Sequence, residues 1–245
     1  MDRTLKLTVA YDGTNYHGFQ RQSNALAIQE VLEKRLPKVF GHSIKINGAA
    51  RTDSGVHAYG QVITFSTTGL IPADKIPQAT KTILPDDIVI TRAEEVASDF
   101  HARFSAKSKI YIYRLHVSEL PNPFQRNYTW HMRKKPNVLD MHQAIQVIIG
   151  EHDFSTFRAA GGAPINPVRT MLNAACFQDN EIVEVMIHGT GFLYHMVRNI
   201  VGTLVNVGWG RITVLEFEKI LAGRNRALAG ITAPPQGLYL KEVFY

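Results

Sequence analysis

Residues 48–58 read Gly48-Ala-Ala-Arg-Thr-Asp-Ser-Gly-Val-His-Ala58, a run of polar, chemically capable side chains between two apolar extended segments, Ile44 to Ala49 and Gln61 to Phe65. A loop carried between strands is where binding and catalytic groups concentrate. On local chemistry alone Asp53-Ser54-Gly55 makes a turn, because Asp and Gly are common turn formers. A hydrolase built from Asp53, Ser54 and His57 is a poor reading. Its base must touch the serine and its acid the base, and the strained G-x-S-x-G elbow is absent.

Outward from this loop the chain alternates strand and helix patterns. On its N-terminal side Ile28, Val31, Leu32, Leu36, Val39 and Phe40 recur at helical spacing, which predicts an amphipathic helix over Ala27 to Phe40. Before it, Leu5, Leu7, Val9 and Tyr11 alternate with Lys6, Thr8 and Ala10, a half-buried strand that ends at Asp12-Gly13. On the C-terminal side a helical stretch precedes Leu84-Pro85, and Ile88 to Val96 is extended. The second half opens with Ile110 to Val117, where Tyr111, Tyr113, Leu115 and Val117 share one strand face. Asn137 then caps a helix running through Gly150, and strands follow at Met171 to Phe177 and Glu181 to His188. Leu193 to Val207 is the clearest helix, its stripe formed by Leu193, Met196, Val197, Ile200, Val201, Leu204 and Val205. Thr213 with Glu216 forms a capping box for a last helix that stops before Gly223, and Gly237 to Val243 returns to strand. This order predicts an α+β fold of two mixed halves, 1–105 with the Asp53 loop and 106–245. A Rossmann fold is disfavoured, since no phosphate-binding glycine fingerprint follows a strand. Gly189-Thr190-Gly191 lacks the rest of a P-loop and reads as a turn into a helix.

The chain has 245 residues, with 27 Lys and Arg against 21 Asp and Glu, a net charge of +6 that favours polyanionic partners. Its one cysteine, Cys176, lies among apolar residues. No intrachain disulfide can form, and a small buried side chain is the expected role. The N-terminus lacks an apolar signal core, and no charge-free run reaches the roughly 18 residues that span a membrane, so a cytoplasmic location is expected. A metal hydrolase using His142, His152 and Asp153 lacks H-E-x-x-H spacing, and His152-Asp153 reads as loop. A non-catalytic RNA-binding module with RRM-like halves is the main rival, although no RNP1 sequence is recognisable.

The segment Ala50-Arg-Thr-Asp-Ser-Gly-Val-His-Ala58 resembles the catalytic motif of the TruA family of tRNA pseudouridine synthases. Other pseudouridine synthase families embed their aspartate after Arg-Leu or Gly-Xaa-Leu. Five further segments resemble the family's other motifs in the same order: Tyr11-Asp-Gly-Thr-Asn-Tyr-His-Gly-Phe-Gln-Arg-Gln22, Asp99-Phe-His-Ala-Arg-Phe-Ser-Ala106, Tyr111-Ile-Tyr113, Tyr194-His-Met-Val-Arg-Asn-Ile-Val-Gly202, and Ala233-Pro-Pro-Gln-Gly-Leu-Tyr-Leu240. Ala50 stands where the family usually has glycine, Ser54 where alanine is frequent, and Ile110 where a basic residue commonly precedes Tyr111. Lys107 and Lys109 lie close enough in sequence to supply that charge.

The resemblance implies a pseudouridine synthase fold with RRM-like or ferredoxin-like halves and largely antiparallel sheets. It implies isomerisation of uridine at positions 38, 39 and 40 of the tRNA anticodon stem-loop, by a homodimer needing neither cofactor nor metal. Asp53 would either attack C1′ or remove the C2′ proton in a glycal route. Tyr111 would stack on the extruded base and help move the C5 proton. Arg198 lies on the long helix about a third of a turn from the centre of its apolar stripe, and by resemblance pairs with Asp53. Arg51 would lie near the flipped nucleotide and Leu238 against the uracil. Arg21, Arg103, Lys107, Lys109, Arg114, Arg126, Arg133, Lys134 and Lys135 are the expected tRNA track, reading backbone shape.

Overall fold

Leu5, Leu7, Val9 and Tyr11 are all buried along β1 (Arg3–Tyr11), the face that their alternation predicts. The computed structural model describes residues 2–161 and 166–245. Two units divide the chain, one of residues 1–107 and 239–245, the other of residues 108–238.

In the first unit β1 pairs antiparallel with both β3 (His57–Thr67) and β4 (Ile88–Val96), and β2 (Asn47–Gly48) adds antiparallel to β3. The last strand, β10 (Leu238–Phe244), joins β3 in parallel, with Tyr239 opposite His57 and Leu240 opposite Ala58. The helix expected over Ala27 to Phe40 is two pieces, α1 (Ile28–Arg35) and α2 (Pro37–Phe40). Pro37 has no N–H to continue the ladder, so it starts a new turn, and Gly41 closes that turn at φ 76°. The stretch before Leu84 holds a 3-10 turn, Ala73–Lys75, that runs into a short helix, α3 (Ile76–Thr80), and of the extended run Ile44 to Ala49 the residues Asn47–Gly48 pair as a strand.

The second unit is a sheet in the order β5 (Ser108–Val117), β9 (Ile182–Gly189), β8 (Val168–Asp179), β7 (Gly150–Asp153), antiparallel throughout. β6 (Trp130–Met132) adds in parallel to the other side of β5. Among the described residues both units are thus mixed α/β, with β10 parallel to β3 in the first and β6 parallel to β5 in the second. Asn137 caps α4 (Val138–Gln146) by accepting from the N–H groups of Leu139 and Asp140. The helix ends before Gly150, whose φ of 103° turns the chain into β7, so His152 and Asp153 lie on a strand rather than a loop.

The apolar stripe from Leu193 belongs only partly to α5 (Met196–Gly208). His195 adopts φ 57°, so Leu193 is buried in the approach and the helix begins one turn later than the stripe. α5 is buried on nearly all sides, which requires its polar groups to be satisfied internally. Asn199 donates to the Phe157 carbonyl, and Thr203 donates to the Asn199 carbonyl and accepts from the Gly230 N–H. The capping box predicted for α6 (Val214–Ala222) is present in both directions.

Candidate active site

Backbone contacts from both flanks hold the Asp53 loop in the first unit. Gln61 on β3 grips Ala50 twice, accepting from its N–H at 3.1 Å and donating to its carbonyl at 2.8 Å. The Thr52 hydroxyl is 2.7 Å from the Tyr11 hydroxyl, and burial pushes that phenol above its usual range, so it stays protonated. The Thr52 carbonyl accepts from Phe19 N–H, and the Tyr16 carbonyl accepts from Gly55 N–H. Residues 11–22 therefore wrap the loop, and two segments recognised separately in the sequence form one structure. Gly18 makes this approach possible: it sits at φ 85°, and a Cβ there would lie 2.6 Å from the Thr52 carbonyl oxygen. With its backbone fixed on both sides, Asp53 leaves its carboxylate half-buried.

His57 is buried and serves packing. Its Nδ1 accepts from Gly13 N–H at 3.0 Å and lies 3.1 Å from an Asp12 carboxylate oxygen, and its ring stacks on Tyr239 at 4.7 Å. Tyr239 stacks in turn on Tyr59. Ser54 donates to the Tyr16 carbonyl across 3.4 Å. Ser54 and the Nδ1 of His57 are thus engaged with Tyr16, Gly13 and Asp12, which disfavours a triad relay. Arg51 is exposed, as are Lys107 and Arg103, whose guanidinium lies 5.5 Å from the Phe104 ring centre. Arg21 forms a 2.6 Å ion pair with the largely buried Glu33, so its charge is already engaged.

In the second unit Tyr111 lies on β5 opposite Ile187, buried, its ring edge-to-face with Phe192 at 4.8 Å. Lys109 lies on the same strand opposite Gly189. Arg198, in the first turn of α5, is half-buried, as its position beside the stripe predicts. Its Nε donates to the Ala233 carbonyl at 2.7 Å, and its own carbonyl accepts from Ala233 N–H. The next residue, Pro234, accepts from the Tyr113 hydroxyl at 2.7 Å, and Gly237 lies so close to Tyr113 that a Cβ would meet its ring at 2.6 Å. Arg198 and Tyr113 thus clamp the segment that leads to the buried Leu238. Sequence reasoning gave Tyr113 no role of its own. The signal was its place in the Tyr111-Ile-Tyr113 motif, but the partner is a main-chain carbonyl, which no side-chain pattern reveals.

The three residues of the metal reading do not converge. His142 bonds the Cys176 backbone, His152 lies 3.0 Å from the Ile149 carbonyl, and Asp153 accepts from Ser155 and pairs with Arg224. Among the described residues no helix is long and apolar enough to cross a membrane.

A family model described as tRNA pseudouridine synthase matches residues 7–105 and 144–245. The chain belongs to the tRNA pseudouridine synthase family. It is 46% identical over 243 residues to tRNA pseudouridine synthase A of Thermoanaerobacter sp. (strain X514), covering 99% of this chain and 100% of that one. The same name attaches to a Lacticaseibacillus casei (strain BL23) protein, 46% identical over 98% of both chains. A Clostridium tetani (strain Massachusetts / E88) protein, tRNA pseudouridine synthase A 2, is 42% identical over 100% of both. As a tRNA pseudouridine synthase the protein is an isomerase of uridine in tRNA, and the non-catalytic binding module is not favoured. Both the Asp53 loop and the Arg198 helix turn lie inside the matched residues of this synthase.

Proposed function

We propose that this synthase isomerises uridine at positions 38, 39 and 40 of the anticodon stem-loop, with Asp53 as the catalytic carboxylate. The observation that carries this reading is the Asp53 loop itself. Its backbone is tied at Ala50, Thr52 and Gly55, and its half-buried carboxylate is therefore presented in a restricted position. Preorganisation of this kind brings a reacting group to its target without reordering.

Two chemistries fit. In one, the carboxylate attacks C1′ as the N1–C1′ bond breaks and its electron pair leaves with uracil; uracil rotates in place, C5 joins C1′ as the carboxylate leaves, C5 loses its proton to solvent, and N1 gains one. In the other, the carboxylate takes the C2′ proton as uracil departs. The C5–C1′ bond then forms across the glycal as the proton returns to C2′, C5 loses its own proton to solvent, and N1 takes one up. Both end in an isomer of the starting nucleotide, with no net redox change. Tyr111 stacks on the extruded uracil, replacing base stacking lost on flipping. Arg198 steadies the Asp53 carboxylate, Leu238 packs on the base, and Arg51 holds the flipped nucleotide. Arg103, Lys107 and Lys109, with Arg21, contact tRNA backbone. We read the two mixed units as RRM-like halves of a pseudouridine synthase fold in a cytoplasmic homodimer.

The test is tritium release from tRNA labelled at uridine C5, on substrates with a single uridine at position 38, 39 or 40, without added metal or cofactor. Wild-type protein is expected to release tritium from all three. Asp53→Asn is expected to lose at least about 10²–10⁴-fold in rate while retaining tRNA binding. Turnover by Asp53→Asn at the wild-type rate would remove the carboxylate from the mechanism.

A further inference from the structure

A cavity of about 450 Å³ lies within the second unit, on the α5 face opposite the turn 229–231. Its polar lining is unusual in charge: Arg211 and Arg226 line it together with Trp130, Trp209 and Asn206, and no acidic residue does. Among the described residues both guanidiniums bond only neutral oxygens. Arg226 donates to the carbonyls of Ala229 and Gly230 and to the side-chain oxygens of Asn199 and Thr232, and Arg211 reaches Asn206 Oδ1 at 3.3 Å. Two such cations lining one cavity create a field that favours an anion.

The remaining surface is aromatic. The Arg211 guanidinium lies 4.6 Å from the Trp209 ring centre, so guanidinium and indole together present planar surfaces of the kind on which nucleobases stack. The indole is already oriented: Trp209 Nε1 donates to the Lys134 carbonyl at 3.1 Å, and Lys134 Nζ returns a bond to the Trp209 carbonyl. The floor is rigid as well. A Cβ at Gly202 would lie 1.8 Å from the Ile231 carbonyl oxygen, so the turn rests directly on the helix backbone. A bare phosphate leaves the indole surface unexplained, and an apolar ligand leaves the two cations unexplained.

We propose that this cavity binds a nucleotide, its base on the Trp209–Arg211 surface and its phosphate at the exposed Arg211, in the field of the fixed Arg226. That the nucleotide belongs to the tRNA substrate, rather than being free, rests on the proposed function above. Trp130 and Trp209 are the chain's only tryptophans and both line this cavity, so emission excited selectively from tryptophan, away from the chain's nine tyrosines, arises from its walls.

The full-length protein is titrated with unmodified tRNA, uridine and adenosine 5′-monophosphates, and inorganic phosphate. Saturable fluorescence changes are expected with tRNA and, at higher concentration, with a mononucleotide. Arg211→Glu and Arg211→Gln, at an exposed site, should each raise the half-saturation concentration about tenfold or more, and Asp53→Asn should leave the tRNA response intact. A mononucleotide response without a tRNA response overturns the RNA source. Inorganic phosphate reproducing the whole change overturns base recognition. An unchanged response in both folded Arg211 variants, or no response to any nucleotide, overturns the site. Failure of tritium release with the fluorescence response retained would sink the proposed function and leave the nucleotide site standing.

Discussion

Tyr113 shows how one side chain organises the second unit. Burial pushes its hydroxyl well above the usual tyrosine range, against the opposing effect of nearby Arg198, so the phenol remains protonated and donates to the Pro234 carbonyl. Tyr113→Phe leaves that carbonyl without its donor in a largely buried place. The expected loss is about 1–3 kcal/mol in urea unfolding at 25 °C, and no measurable loss would show the bond to be dispensable. Cys176 bears on the opposite question of what does not react. Burial pushes its thiol up to about 12, so at pH 8 the native protein should be silent toward a disulfide reagent and react with one equivalent only when unfolded. Reaction of the native protein would place the thiol at the surface.

At the scale of elements, α6 is set by its two-way cap. Thr213 accepts from Glu216 N–H, and the Glu216 carboxylate accepts from Thr213 N–H at 2.7 Å. Thr213→Ala removes half of this and should cost about 1 kcal/mol in unfolding free energy, whereas Thr213→Ser should cost little. This cap was legible in the sequence because both partners lie within one turn. So were β1, β4 and the core of α5, where hydrophobic period and structure share one cause. Legibility failed where a single backbone constraint interrupts a continuing apolar pattern: Pro37 divides a helix, Gly150 ends one in a strand, and His195 at φ 57° delays another. The short strands β6 and β7 carry too few residues for a period to show. For the site, the motif resemblance singled out Asp53, Tyr111 and Arg198. The ties of Gln61 to Ala50, 11 residues apart, and of Tyr113 to Pro234, 121 residues apart, run to main-chain atoms and leave no side-chain pattern.

For the whole molecule, a net charge of +6 indicates attraction to tRNA without saying which cations act. The structure divides the expected track. Arg21 pairs with Glu33, and Arg114 pairs with Glu184 at 3.0 Å, so these two charges are largely neutralised within the protein. Arg103, Lys107, Arg133 and Lys135 are exposed, and among the described residues none of them is in an ion pair. A cation that neutralises a phosphate releases a condensed counterion, and each such contact steepens the fall of log affinity with log salt by a little under one. Binding of tRNA should therefore weaken steeply as salt rises. Replacing any one unpaired cation that touches backbone should weaken binding and flatten the slope by about one. Arg114→Ala should leave the slope unchanged, because its charge already has a partner and its loss releases Glu184 instead. Filter binding from 50 to 200 mM salt reads both quantities. A flat salt dependence, or a slope change for Arg114→Ala equal to that for Lys135→Ala, would show that the ion pairs do not decide which charges meet the tRNA.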